Sequence, residues 1–389
     1  MSLREGFTTG SAATAAAMAA FGRLIGLSIP DAVDCPLPPF TEAPGLAPLP
    51  SGYLRIPLEC VELDGETATA AVVKDGGDDP DATHRARIEA KAVLIDAARI
   101  TPQAGEILVP GTPLLLLRAG SGVGRVTLPG LPVKVGEPAI NPAPRRQIQA
   151  GLREFAAQSG YQGGVQITLS VRDGELIARK TLNPRLGVLG GISILGTHGT
   201  VRPYSHDAWK ASILEGLNVA KAVGCPRVFL STGRRSERLL QDMFPLDREQ
   251  AFVQVADFAE FSLNSAVETG FCDIVWGCFF GKLVKLAQGL GHTHAHAARL
   301  EMELLARWCA DAVTANTPGG IGELTRAVAA CTTANQALEF ILPRPDADAI
   351  LRALTLRAKR VAESFAPGAQ VSLILFSMHD DVRKELIRV

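Results

Sequence analysis

The sequence predicts an α+β N-terminal domain followed by an α/β domain built on a parallel, Rossmann-like four-stranded sheet. Three observations predict it. The chain has 389 residues, beyond the size at which a single core usually stops growing, so two domains are expected. The first half offers strands in succession with few helices, the pattern of an α+β layer structure. The second half offers four short apolar runs without alternation, separated by segments of helical period, as strands buried on both faces of a parallel sheet read. Gly196, Gly199 and Pro203 punctuate the join, and the division is set at 1–197 and 198–389.

Taken in order, Thr8-Thr-Gly-Ser11 ahead of a run of alanines predicts a capped helix that ends near 22–26. The proline-crowded stretch 36–50 reads as an irregular surface excursion. Residues 53–60 and 67–73 read as strands joined around Asp64-Gly65, with further strands at 86–97, 113–118 and 164–171. Apolar residues at helical spacing predict a helix over 145–157. In the second half the strands are 227–231, 252–256, 273–277 and 371–376. The intervening helices are 207–223, 236–243, 259–269, 282–289, 295–314 and 346–364.

Composition narrows the class of function. Hydrophobic residues make up 47% and charged residues 20%, which is ordinary for a folded chain. Lys plus Arg number 39 against 40 Asp plus Glu, a net charge of −1, which advertises neither a nucleic-acid nor a membrane-surface partner. No apolar run reaches the roughly 20 residues of a membrane span. The start lacks the basic and strongly apolar segments of a signal peptide. Seven scattered cysteines without a C-x-x-C pair fit free thiols in a reducing compartment, so the expectation is a cytoplasmic protein without a zinc knuckle. A homo-oligomer is left open.

Several segments carry residues suited to chemistry. In Gly120-Ser-Gly-Val-Gly-Arg-Val-Thr127, alternate glycines let backbone amides approach a ligand, and Arg125 offers a fork of donors to carboxylates; a simple turn between strands reads the same way. Lys74-Asp-Gly-Gly-Asp78-Asp79-Pro-Asp81-Ala-Thr-His84 gathers carboxylates, a lysine and a histidine that could hold a cation or place a general base, although Asp, Gly and Pro are also turn formers. Repeated glycines in 183–197 imply close approach of backbone to a strand or a ligand. A strand ending at Ser231-Thr232-Gly233, and a second ending at Asp257, resemble the layout that binds an adenosine ribose, without the full glycine fingerprint. Gly281-Lys282 opens a helix and could receive an anion. His292, His294 and His296 tempt a metal reading, but no carboxylate stands at metal spacing, and no metal is expected.

Taken together, Gly6-Phe-Thr-Thr-Gly10-Ser-Ala-Ala, the 73–84 loop, Gly122-Val-Gly-Arg-Val-Thr127, Pro129-Gly-Leu131, Gly136-Glu-Pro-Ala-Ile-Asn-Pro142, Asn183-Pro-Arg-Leu-Gly187, Gly190-Gly-Ile-Ser-Ile-Leu-Gly-Thr197 and Gly281-Lys-Leu-Val-Lys-Leu286 resemble the CbiD family in order. The stretch 36–50 departs from it as an insertion. The resemblance implies transfer of a methyl group from S-adenosylmethionine to C-1 of cobalt-precorrin-5B, giving cobalt-precorrin-6A on the oxygen-independent route to cobalamin. It also implies that the second domain is the smaller.

For such a reaction a base that manages ring protons is sought among Asp78, Asp79, His84 and Glu137. Lys74, Arg125, Arg145, Arg146 and Lys282, with the loop glycines Gly122 and Gly124, are the expected anchors for a substrate rich in carboxylates. Gly190, Gly191, Thr232, Gly233 and Asp257 are the expected cofactor residues. Two other classes compete: a nucleotide-binding kinase-like enzyme using 120–127 as its phosphate loop, and a non-catalytic tetrapyrrole- or metal-binding protein built on the three histidines.

Overall fold

The computed structural model describes residues 3–41, 49–294, 300–313, 320–377 and 385–389. By internal contacts the chain divides into two compact units, Met1–Ser205 and His206–Val389.

The first unit is organised around the helix Thr9–Leu24, whose residues from Thr9 to Gly22 are all buried. Thr8 caps it, its hydroxyl accepting from the Ser11 amide at 3.1 Å. The run of alanines gives the helix a smooth surface, so a sheet and a second helix, Pro142–Ser159, pack against it closely. The sheet has six strands in the order Cys60–Asp64, Thr67–Val73, Arg87–Ile95, Gly164–Val171, Leu114–Ala119, Ile107–Val109. Every neighbouring pair is antiparallel except Gly164–Val171 with Leu114–Ala119. Alternation along the strands sends Ala68, Ala70, Ile88, Ala90, Val165, Ile167 and Leu169 into the shared core.

The proline-rich stretch is not an irregular excursion where it is described. Ala32–Thr41 pairs antiparallel with Leu49–Pro57 in a separate two-stranded hairpin, and only 42–48 falls outside the described residues. A two-stranded ribbon has open edges, where proline's missing N–H costs nothing. The expected strand 53–60 accordingly splits. Its first part belongs to this hairpin, and Cys60–Asp64 starts the main sheet.

The second unit holds one sheet of five strands, in the order Phe252–Gln254, Val228–Ser231, Asp273–Phe279, Gln370–Phe376, Glu385–Arg388. The first four run parallel and the last is antiparallel, which corrects the expected four-stranded sheet to five. Helices His206–Ala222, Arg234–Met243, Ala259–Glu268, Phe280–Ala287 and Ala347–Phe365 cover it. The expected helix 295–314 is described as Met302–Asp311, with 295–299 and 314–319 outside the described residues. Two further short helices, Ile321–Ala329 and Ala334–Ile341, were not anticipated. Among the described residues no helix is long and apolar enough to cross a membrane.

Candidate active site

In the first unit, segments far apart in sequence meet in one backbone network. Gly6–Phe7 pairs with Thr200–Val201, and the Phe7 amide donates to the Asp75 carbonyl at 2.8 Å. Thr8 donates its amide to Gly199 and Gly10 donates to Leu195. Gly122–Val123 lies parallel to Gly191–Ile192, and Arg125–Val126 antiparallel to Val188–Leu189. The Ala139 amide donates to Gly124, and that of Asn141 to Ile194. Side chains lock the network. Thr9 Oγ1 accepts from the Leu195 amide at 2.9 Å, and the buried Asn183 Nδ2 donates to the Gly191 carbonyl at 3.2 Å.

This geometry alters the reading of the glycine run. The amides of Gly120, Gly124, Val126 and Thr127 all donate to carbonyls of this chain, so they do not line an anion cradle. A side chain on Gly122 would meet backbone of Val171 and Gly174, and one on Gly124 would meet the Val188 side chain and the Gly191 backbone. The glycines allow strands to touch. Arg125 is the part that faces outward: its guanidinium donates to the Gly136 carbonyl and remains exposed. Beside it Glu137 accepts from Arg145 Nη2 at 2.7 Å, while Arg145 Nε donates to the Ile140 carbonyl at 2.7 Å. Glu137 thus holds an arginine in place. Arg146, next along the same helix, is exposed.

The acidic loop is largely committed to its own structure. Lys74, expected as a substrate anchor, is only 1% exposed. Its ammonium donates to Asp81 at 2.5 Å, so it is a buried structural charge unavailable to a ligand. Asp78 accepts the Arg4 amide at 2.7 Å and Asp79 accepts the Tyr204 amide at 2.9 Å. His84 Nδ1 accepts the Gly76 amide at 3.0 Å, which assigns the neutral ring's proton to the exposed Nε2. The Arg4 guanidinium, bonded to Asp75, holds that carboxyl at about 2.

In the second unit the expected residues gather along one edge of the sheet, where the parallel strands end. Thr232 and Gly233 follow Val228–Ser231, Asp257 follows Phe252–Gln254, and Lys282 sits in the first turn of Phe280–Ala287, after Asp273–Phe279. Connections leave the two central strands in opposite directions there, the kind of crevice in which open α/β sheets bind ligands. Nothing crowds the position a side chain would take on Gly233 or Gly281. Asp257 does not present a free carboxylate. It pairs with the Lys282 ammonium and accepts from Thr293 Oγ1 at 3.1 Å.

Burial, with the neighbouring Lys285 ammonium, brings Lys282 down to about 8. Rings of His206, Phe258 and His292 pack at 5.0–5.2 Å beside this pair. Burial and the charges of His206 and His294 push His292 below its ordinary value. His296 of the metal reading lies outside the described residues, and among the described residues no group of three or more metal-ligating side chains assembles. The remaining expected cofactor residues lie in the first unit. Gly190 is exposed with open space around it, whereas Gly191 is packed on Gly122.

Sequence reasoning missed Lys285. The signal was present: Lys282 and Lys285 stand three apart and share one face of a helix.

Parallel strands that gather polar side chains where they end, in a chain whose other unit joins its glycine-rich segments through backbone, define an α/β protein whose ligand chemistry is carried on loops. Residues 1–203 match the family model CbiD and residues 292–385 match CbiD, C-terminal domain; the chain belongs to the CbiD family. It is 53% identical over 379 residues to the cobalt-precorrin-5B C(1)-methyltransferase of Nitratidesulfovibrio vulgaris, covering 97% of this chain and 91% of that one. The enzyme of the same name from Geobacillus kaustophilus is 42% identical over 335 residues, covering 86% and 81%. The crystal structure of the cobalamin biosynthesis protein CbiD from Archaeoglobus fulgidus is 26% identical, with a TM-score of 0.37, covering 73% and 79%.

Proposed function

We propose that this chain methylates C-1 of cobalt-precorrin-5B to give cobalt-precorrin-6A in anaerobic cobalamin biosynthesis, with S-adenosylmethionine as methyl donor. The carrying observation is that relatives of that name match nearly the whole chain. In support, the segments 6–13, 73–84, 122–127, 136–142 and 183–197, which resemble the family, meet in one network.

When bound, S-adenosylmethionine supplies a methyl group already activated on sulfur. The residues then have to bind and orient a ring carbon against it. The end of the parallel sheet suits the cofactor, in the manner of a Rossmann-like domain, because Gly233 and Gly281 leave open space beside Thr232 and the Asp257–Lys282 pair. Gly190 is open to a ligand as well. The first unit receives the ring: Arg125, Arg146 and the Glu137-held Arg145 face carboxylates. The exposed Nε2 of His84, with the second oxygens of Asp78 and Asp79, remains to manage ring protons.

The test is purified protein with cobalt-precorrin-5B and methyl-labelled S-adenosylmethionine under anaerobic conditions. Label at C-1 of the product is expected, and its absence would overturn the reading. Arg125→Ala is expected to raise KM for the ring about tenfold, the worth of one charge-assisted hydrogen bond, without lowering Tm. An unchanged KM returns Arg125 to a strap on the Gly136 carbonyl.

A further inference from the structure

Lys285 is 8% exposed, and its ammonium donates to the Thr293 carbonyl at 2.8 Å. Lys282 reaches the same oxygen at 3.3 Å and pairs with Asp257. Among the described residues no carboxylate pairs with Lys285. Two ammonium groups therefore crowd one carbonyl and one carboxylate. Around them His292 and His294 come from the segment that follows and His206 and Lys210 from the helix His206–Ala222, none of them an acid. Glu301, Glu303 and Arg307 line a pocket with Lys285, but neither carboxylate pairs with its ammonium. A buried ammonium lacking its own counter-charge is costly unless something supplies one. The missing element is a single negative charge, beside a helix that carries Lys282 in its first turn and Lys285 in its last. A lysine is a compact point charge on a flexible stem, suited to a carboxylate that arrives and leaves.

We propose that Lys282 and Lys285 form a receiving site for a ligand carboxylate, and that Asp257 is the internal stand-in which that carboxylate displaces. The ligand chemistry rests on the function proposed above, under which both the amino-acid end of S-adenosylmethionine and the side chains of the ring carry carboxylates. On arrival the incoming carboxylate takes the Lys282 charge from Asp257 and gives Lys285 a partner. Because Lys282 sits at about 8, affinity for the carboxylate holds below neutral pH and declines as pH rises through that value.

The experiment is calorimetric binding to the full chain, which needs no turnover and so can succeed even where the methyl-transfer reading fails. The ligands are S-adenosylmethionine, its decarboxylated analogue and cobalt-precorrin-5B. Lys285→Met keeps the stem and removes the charge. It should weaken S-adenosylmethionine about tenfold or more while sparing the decarboxylated analogue, if the cofactor is the source. It should weaken the ring instead if the ring is the source. Asp257→Asn should tighten the same ligand several-fold, since the internal competitor is gone. Wild-type affinity for every ligand in folded Lys285→Met overturns the site, and weaker binding by Asp257→Asn overturns the stand-in. Should Lys285→Met fail to fold, Lys282→Met and Asp257→Asn decide by the same criteria.

Discussion

Asp81→Asn should lower the stability of the first unit by about 3 kcal/mol, the cost of leaving a buried charge without its partner. Lys74 is 1% exposed and its ammonium rests on Asp81 Oδ2 at 2.5 Å, while Oδ1 takes the Thr83 amide and hydroxyl. Asparagine preserves the shape and the Thr83 bonds but strands the ammonium. Lys74→Met combined with Asp81→Asn should recover much of the loss, because removing both charges is far less damaging than removing one. Chemical denaturation followed by circular dichroism reads both variants. A single mutant within about 0.5 kcal/mol of the parent, the range of ordinary surface changes, would show the pair to be unimportant.

The same pair carries a pH signature. Burial pushes the Asp81 carboxyl up, but the Lys74 ammonium and the Thr83 donors outweigh it and leave the group below its ordinary value. A depressed carboxyl contributes stability above its unfolded pKa, about 4, and that contribution is lost as pH falls through the folded value. The parent should therefore lose stability below about pH 4 more steeply than Asp81→Asn.

Gly122→Ala should cost about 3–4 kcal/mol, the combined effect of strain and collision. The residue has φ of +74°, where an L side chain is strained, and its new methyl would press on backbone of Val171, with Gly174 N at 3.0 Å. Backbone cannot yield as a flexible side-chain tip does. Gly136 is the control: φ is +91° but nothing lies within 4 Å of the added atom, so Gly136→Ala should cost only the strain, about 1 kcal/mol. Thermal unfolding should separate the two by several degrees. Equal losses would mean that the strands around Gly122 are not in contact.

Much of the fold was legible because the signals are local. The unalternating runs at 228–231, 273–279 and 370–376 are strands buried on both faces, and the amphipathic segments between them are their helices. Pro36, Pro38 and Pro39 misled because proline's exclusion from strands holds only where both edges are bonded. Glu385–Arg388 is too short to carry a pattern. Ala334–Ile341 did announce itself, through a capping box between Thr333 and Gln336 that went unread. The site was legible in residue type and not in partnership. Arg4 with Asp75, Lys74 with Asp81 and Lys282 with Asp257 are pairings that only the fold creates. The glycines of 120–127 show the deeper ambiguity, since a missing side chain admits a ligand and a neighbouring strand equally well.

The buried helix Thr9–Leu24 has a consequence during synthesis. It leaves the ribosome well before the strands that cover it, which extend to Val171, and before Thr200–Val201, which clasps Gly6–Phe7. At roughly 5–20 residues per second the interval is on the order of 10–40 s. For that time an alanine-rich segment waits without its shelter. Within its unit this early helix is thus among the last elements to be enclosed, and a nascent chain stalled short of residue 201 is a form in need of a holding chaperone.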